Sequence, residues 1–146
     1  MPVELTRRTH FAASHRLHSP HLSDEENRRI YGACNNPYGH GHNYYMEVTV
    51  EGDPDPSTGM IINLTELDDI IDNELVKRVD HHHFNYDVPF TKDVIPTVEN
   101  LVVAFWSVLA PRLTRVRLKR IRLWESENNS AAYSGPPQTS QAADRE

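Results

Sequence analysis

Three histidines in the first third of the chain have the spacing of a metal site. His40 and His42 stand two residues apart, with Gly39 and Gly41 leaving the backbone unobstructed around them. If this segment is extended, both imidazoles leave one face, with Cα atoms about 6.5 Å apart. His15 supplies a third ligand if its predicted strand pairs with this segment. Three neutral imidazoles with an open fourth position make a catalytic zinc site; the alternative is a loop with two solvated histidines.

The single cysteine of the chain, Cys34, lies six positions before His40. Three interpretations stand side by side: a fourth metal ligand, an inert buried thiol, or a reactive thiolate. The asparagine, proline and glycine residues that follow it predict a loop, and a loop position argues against the inert thiol.

A second group of titratable residues follows the first long predicted helix. Asp80 stands next to His81, and a neighbouring carboxylate sets the tautomer of an imidazole and raises its basicity, which suits general acid–base catalysis. The two side chains can cooperate only if the chain turns here. For His82 and His83 we predict a solvated helix end, where the helix dipole favours histidine.

One further carboxylate, Glu125, follows an apolar strand and Trp124. It is either an exposed strand end or the anchor of a ligand with paired N–H donors, since a carboxylate accepts two hydrogen bonds side by side.

Composition limits the class of protein to which these residues belong. The chain has 146 residues, enough for one domain, and we expect one domain over 1–135 and a disordered tail over 136–146. Its net charge of −6 argues against a nucleic-acid binder that tracks phosphates. There is no apolar run of about 20 residues and no signal-peptide pattern at the start. One cysteine fits a reducing compartment, so we expect a cytoplasmic protein.

Apolar periodicity predicts the elements that position the candidate residues. It indicates strands over 3–15, 43–51, 115–125 and 131–134 and helices over 64–79 and 97–109. A capping box at 23–26 opens a short helical turn, Asn63 or Thr65 and then Thr97 are candidate helix caps, and 52–59 is a loop. A change of apolar parity near Lys119 and Arg120 indicates either a bulge or a strand that begins only after these residues.

This order of elements predicts an α+β fold with a four-stranded antiparallel sheet and two helices packed on one face. Such a sheet has two open edges, and oligomerisation through those edges is the expected way to cover them.

Several separate motifs resemble the 6-pyruvoyltetrahydropterin synthase and 6-carboxytetrahydropterin synthase family, which has the tunnelling fold. They cover about 11–135 in the family's order. The matching pieces are ASHRL at 13–17, CNNP at 34–37, GHGHN at 39–43, TGM at 58–60, NLT at 63–65, DH at 80–81, DVP at 87–89, TVEN at 97–100 and WESENN at 124–129.

The resemblance implies roles for the candidate residues. It makes His15, His40 and His42 ligands of Zn²⁺ and Cys34 the catalytic thiolate. Asp80 and His81 become its acid–base partners. Glu125 grips the pterin, with Thr97 and Glu99 beside it. The implied assembly is a homohexamer, in which trimerisation joins the sheets into a barrel and active sites lie at chain interfaces.

The implied function is a zinc-dependent lyase that converts 7,8-dihydroneopterin triphosphate to 6-pyruvoyltetrahydropterin and eliminates triphosphate, as in tetrahydrobiopterin biosynthesis. The first alternative is the 6-carboxytetrahydropterin synthase of queuosine biosynthesis, which releases acetaldehyde and triphosphate from the same substrate. Five residues between Cys34 and His40 resemble the pyruvoyl branch, and Cys34 argues against relatives that carry glutamate there. The alternative from another class is a non-catalytic protein that binds zinc or a pterin. Neither nucleic acid nor membrane is an expected partner.

Overall fold

The computed structural model describes residues 1–137, which form an α+β fold. The predicted disordered tail lies outside the described residues from position 138 onward. Within these residues, five strands and four α-helices follow one another in the order β1 Val3–His15, α1 Asp24–Tyr31, β2 His40–Gly52, α2 Leu64–Ile71, α3 Lys77–Val79, β3 His82–His83, α4 Val98–Leu109, β4 Arg117–Ser126 and β5 Asn129–Tyr133.

The strands form one mixed sheet in the order β3-β1-β2-β4-β5. The prediction of a four-stranded, wholly antiparallel sheet is therefore wrong in one respect. The two-residue strand β3 is parallel to the end of β1, through Ala13↔His82 and Ser14↔His83. A strand of two residues has no detectable period, so periodicity cannot find it.

The longest ladder joins β1 to β2 over thirteen residue pairs, from Val3↔Gly52 to His15↔His40. The predicted bounds of β1 are correct. Strand β2 starts three residues before its predicted beginning and therefore includes His40 and His42. The segment between these histidines is extended, and the two strands pair as the metal-site prediction requires.

The predicted bulge is confirmed on β4. Thr49 pairs with Arg120 and Val50 with Leu118, so Lys119 is the extra residue on its strand. The extra residue restores the apolar side chains of β4 to the core face on both sides of the bulge.

Local sequence signals set the starts of the helices. Ser23 and Glu26 form the predicted capping box at the start of α1. The side chain of Asn63 accepts a hydrogen bond from the N–H of Thr65 before α2, and that of Thr97 accepts one from Asn100 before α4. These caps satisfy backbone donors that have no partner within the helix.

The predicted long helix over 64–79 is interrupted by a π-helical turn, Asp72–Val76, which joins α2 to α3. Such a turn inserts one residue into the helix without ending it, which a periodicity of apolar residues does not reveal.

The core lies between one face of the sheet and the helices. Both α2–α3 and α4 contribute to it, and Phe11 and Tyr44 stack from neighbouring strands with ring centroids 5.1 Å apart. The core face continues past these rings to the end of the sheet that carries the histidines. None of the helices between residues 1 and 137 is long and apolar enough to span a bilayer.

Candidate metal centre and acid–base pair

The three predicted ligands converge at the end of the core face. His15 from β1 and His40 and His42 from β2 are joined by Glu125 from β4. One ligand atom from each of the four residues lies within 4.8 Å of the others. The Nε2 atoms of His15 and His40 are 3.3 Å apart. We call these four residues the metal cluster.

A hydrogen bond at Nδ1 fixes the orientation of the His15 ring. Its ring is fully buried, and Nδ1 donates a hydrogen bond of 2.8 Å to the carbonyl of Pro96, just before α4. This bond assigns the proton to Nδ1 and leaves the Nε2 lone pair facing the cluster, as in many metal-binding histidines. Burial lowers the pKa of His15 to about 4, so the ring is neutral at pH 7.

The residues of the cluster fit a bound metal cation. Nε2 of His42 is buried with no hydrogen-bond partner in the described chain. It lies 3.1 Å from Oε1 of Glu125, and burial lowers the pKa of His42. Between residues 1 and 137, Glu125 has only imidazoles as ionic partners within 4 Å. The side chain of Glu125 is only 15% exposed and lies among imidazoles, an environment that favours a bound cation such as a metal ion.

Glu125 is not the exposed strand end that one interpretation predicted. Its side chain is only 15% exposed and lies on the core face of β4 with Ile121 and Leu123. The sequence did carry a signal for this position, because Glu125 has the parity of those two apolar residues. Sequence reasoning missed its place among the histidines, since that depends on the pairing of β4 with β2.

Cys34 lies beside the metal cluster but not within it. It belongs to a short 3₁₀ turn, Gly32–Asn35, and its carbonyl accepts a 2.8 Å hydrogen bond from the N–H of Leu17. The thiol is partly buried. Burial and then the negative charge of Glu125 raise the pKa of Cys34.

Asp80 and His81 form a contacting pair at the free edge of β1. The carboxylate Oδ1 of Asp80 accepts a 3.0 Å hydrogen bond from the N–H of Ala12 and lies 3.0 Å from Nδ1 of His81. The His81 N–H donates to the carbonyl of Ala12. His81 has a positive φ of 60°, which provides the turn that the acid–base prediction required. The Ala12 hydrogen bond, assisted by His81, lowers the pKa of Asp80.

The prediction of a solvated helix end for His82 and His83 is wrong. These residues form β3, and Nδ1 of His82 donates to the carbonyl of Asp80. Nε2 of His83 is buried and lies against Gly39, where the backbone φ is +77°. A pocket of about 470 Å³ is lined by His81, His82 and His83 and by His42, so the two regions open onto a common space.

Two further predicted residues lie at the start of α4. Thr97 follows Pro96, whose carbonyl holds His15, and its hydroxyl already caps the helix. Glu99 is exposed in the first turn. Whether either residue contacts a ligand remains a prediction.

Comparison with known proteins gives a consistent family. The family model described as 6-pyruvoyl tetrahydropterin synthase matches residues 4–136. A protein of Poecilia reticulata named 6-pyruvoyl tetrahydrobiopterin synthase is 49% identical over 131 residues, which are 90% of this chain and 89% of that one. The human protein of that name is 44% identical over 133 residues, covering 91% and 92% of the two chains.

The fold leads to the same family. The solved structure of Caenorhabditis elegans 6-pyruvoyl tetrahydropterin synthase superposes with a TM-score of 0.84 at 35% identity, covering 93% of this chain and 97% of that chain. A protein of Archaeoglobus fulgidus named putative 6-carboxy-5,6,7,8-tetrahydropterin synthase matches over a shorter segment, 35% identical over 92 residues, or 63% of this chain and 72% of that protein.

Proposed function

This chain belongs to the 6-pyruvoyl tetrahydropterin synthase family, and we propose that it is a zinc-dependent carbon–oxygen lyase of that type. Its substrate is 7,8-dihydroneopterin triphosphate, and its products are 6-pyruvoyltetrahydropterin and triphosphate. The observation that carries the proposal is the convergence of three imidazoles near the single cysteine of the chain. Family membership supplies the pterin substrate.

The metal cluster holds the zinc ion in this proposal. His15, His40 and His42 offer Nε2 lone pairs on one side and leave the pocket side open. Imidazole nitrogens are suitable ligands for zinc. When bound, zinc acts as a Lewis acid on the side-chain hydroxyls of the substrate and acidifies the adjacent C–H bonds.

Cys34 removes a proton from the substrate side chain. A base must carry a lone pair, and the raised pKa of Cys34 keeps the thiol protonated at neutral pH when no cation is near. A dication in the cluster and an imidazole facing Sγ both favour the thiolate. The buried position of Cys34 therefore makes its reactivity depend on the rest of the site being assembled.

His81 moves the second proton, and Asp80 orients it. The carboxylate of Asp80 faces Nδ1 of His81, which directs Nε2 outward as the exchanging atom. Asp80 is held in turn by the backbone of Ala12 and is ionised at pH 7. This arrangement keeps one tautomer of His81 ready for general acid–base work.

His81 points out of its own chain. Its side chain is 82% exposed, although a catalytic imidazole works best away from bulk water. We propose that it serves Cys34 of a neighbouring chain, in a trimer that closes through the free edges of β1 and β5 and stacks as a hexamer. The unpaired edge of β5 and the part of the β1 edge that β3 does not cover support this assembly.

Glu125 grips the amino-pyrimidinone edge of the pterin, with Thr97 and Glu99 beside it. In the substrate-free chain Oε1 of Glu125 lies toward His42, while Oε2 is 3.5 Å from the side-chain amide of Asn129. Two oxygens in one plane can accept paired N–H donors. The role requires the carboxylate to turn from the imidazoles toward the pterin. Arg16 is a weaker candidate for the triphosphate, because its Nε already donates to the carbonyl of Asn35.

The test is an anaerobic incubation of zinc-loaded protein with 7,8-dihydroneopterin triphosphate, with products resolved by mass spectrometry. We expect a 6-pyruvoyl product that retains every side-chain carbon, and none from the Cys34→Ala variant. A 6-carboxy product with acetaldehyde would establish the alternative that the Archaeoglobus relative represents. Binding of zinc and pterin without turnover would overturn catalysis and leave a binding protein.

A further inference from the structure

Three segments of the chain meet behind the metal cluster. They are the end of β1 with the two residues after it (14–17), the Cys34 turn (34–35) and β3 with the turn that follows (83–85). We call this meeting point the strand-end junction. Hydrogen bonds at this junction connect Asn85, through residues 16 and 17, to the Cys34 turn, and none of the proposed catalytic roles uses the Asn85 side chain.

The Asn85 side chain holds the chain immediately after β1. Its Oδ1 accepts a 2.9 Å hydrogen bond from the N–H of Arg16, and its Nδ2 donates a 2.9 Å bond to the carbonyl of the same residue. The backbone ladder stops one step earlier, where the Phe84 N–H donates to the carbonyl of Ser14. The amide of Asn85 therefore replaces the next pair of backbone hydrogen bonds.

The opposite side of this segment is bonded to the Cys34 turn. The N–H of Leu17 donates to the carbonyl of Cys34 at 2.8 Å, and Nε of Arg16 donates to the carbonyl of Asn35 at 3.0 Å. The Asn35 side chain returns a 2.7 Å bond to the carbonyl of Leu17. Residues 16 and 17 are thus fixed from both sides, by Asn85 on one and by the Cys34 turn on the other.

We propose that Asn85 is a positioning residue that sets where the Cys34 thiol lies relative to the metal cluster, acting through Arg16. The inference rests on the proposed role of Cys34. Loss of the amide leaves the N–H and carbonyl of Arg16 without these partners, so 16–17 can shift and carry the attached turn. His15 is held independently by Pro96 and by its pairing with β2, so the metal ligands stay in place while the thiol moves.

The variants Asn85→Ala and Asn85→Asp test this directly. Alanine removes both bonds to Arg16, whereas aspartate still accepts from its N–H but cannot donate to its carbonyl. The matched control is Asn73→Ala, which removes an amide that, among residues 1–137, bonds only to Lys77 on an exposed helix surface. Because Cys34 is the only cysteine, iodoacetamide labelling of the substrate-free protein reports on this thiol alone.

For Asn85→Ala we expect a labelling rate changed by at least about 3-fold and a shifted pH profile of labelling. The kcat should fall about 10- to 100-fold, with KM changed less than about 3-fold, as for a misplaced catalytic group. Zinc content should equal that of wild type. Asn85→Asp should lie between alanine and wild type, and Asn73→Ala should match wild type in all five measured quantities.

The proposal is overturned if Asn85→Ala and Asn85→Asp lower the melting temperature but label Cys34 at the wild-type rate with the wild-type pH profile. That result would make Asn85 a structural residue only. If alanine prevents folding, the comparison of aspartate with wild type decides by the same criterion. Labelling needs no substrate, so this outcome is distinct from a failure of the proposed reaction, which would appear as absent turnover in the wild-type protein.

Discussion

The metal cluster and the Asp80–His81 pair open onto one pocket but are built differently. The cluster takes side chains from three adjacent strands, and its central ring, His15, is fully buried. The pair is attached to the outer edge of β1 through Ala12, and His81 is 82% exposed. The four residues of the metal cluster come together within a single chain, whereas the imidazole of His81 faces whatever lies beside the chain. The difference predicts separable functions: metal binding within one chain, and proton transfer between chains.

The largest expected effect comes from removing a histidine of the metal cluster, which we call the complete region. His42→Ala removes a ligand whose Nε2 has no other described partner, so zinc affinity and turnover should both fall by more than about 100-fold. Zinc content after dialysis and product formation measure this. His21→Ala, an exposed histidine away from the cluster, is the control. Full zinc retention by His42→Ala would contradict the assignment of the cluster.

A change in the Asp80–His81 pair should lower turnover without lowering zinc content. Asp80→Asn keeps an oxygen for the Ala12 N–H but removes the charge that orients His81, so turnover should fall about 100-fold while zinc content is unchanged. Asp69→Asn, an exposed carboxylate on α2, should leave both unchanged. Loss of zinc from Asp80→Asn would show that the two regions are not separable.

Gly39 is the point where the two regions touch. A Cβ there would lie 2.8 Å from the carbonyl oxygen of His15 and from Nε2 of His83, at a φ of +77°. Gly39→Ala should lower the free energy of unfolding by about 1–3 kcal/mol from the backbone conformation alone, and more through the contacts. Gly59→Ala has a similar φ of +73° with open space around it, so the difference between the two variants in urea unfolding isolates the contacts.

The smallest effect concerns charge within the complete region. Glu125 helps to raise the pKa of Cys34, so removing its charge should favour the thiolate. In metal-free protein, Glu125→Gln should move the pH profile of iodoacetamide labelling to lower pH and increase the rate at pH 7 by no more than a few-fold. Glu127→Gln is the neighbouring control. A shift to higher pH would contradict the placement of Glu125 beside the thiol.

The sequence predicted the complete region better than the exposed one, and the reason is physical. Strand β1 and the convergence of the candidate ligands His15, His40 and His42 follow from a period of two and from the pairing of long strands, both visible in local patterns. The position of Glu125 in its strand places it on the core face with Ile121 and Leu123. Its place among the histidines depends on the pairing of β4 with β2, which the sequence does not show.

The exposed region depends on features that local patterns do not encode. His81, with its positive φ, and the two-residue strand β3 are bonded to β1, which lies far away in the sequence. The sequence alone indicates nothing more than a turn residue at Asn85, because the bonds of this side chain to Arg16 span 69 positions.

The most direct test of the two-region account is complementation between inactive chains. Cys34→Ala and His81→Ala, carrying different tags, are co-expressed, and assemblies that contain both tags are purified. If His81 serves the neighbouring Cys34, random mixing restores an intact thiol and imidazole at roughly a quarter of the sites, with turnover in proportion. A mixture of Cys34→Ala with His42→Ala should recover nothing, because the proposal assigns both residues to the site of the same chain. Absence of activity in the doubly tagged Cys34→Ala and His81→Ala assemblies would contradict the account and place both residues in the site of one chain.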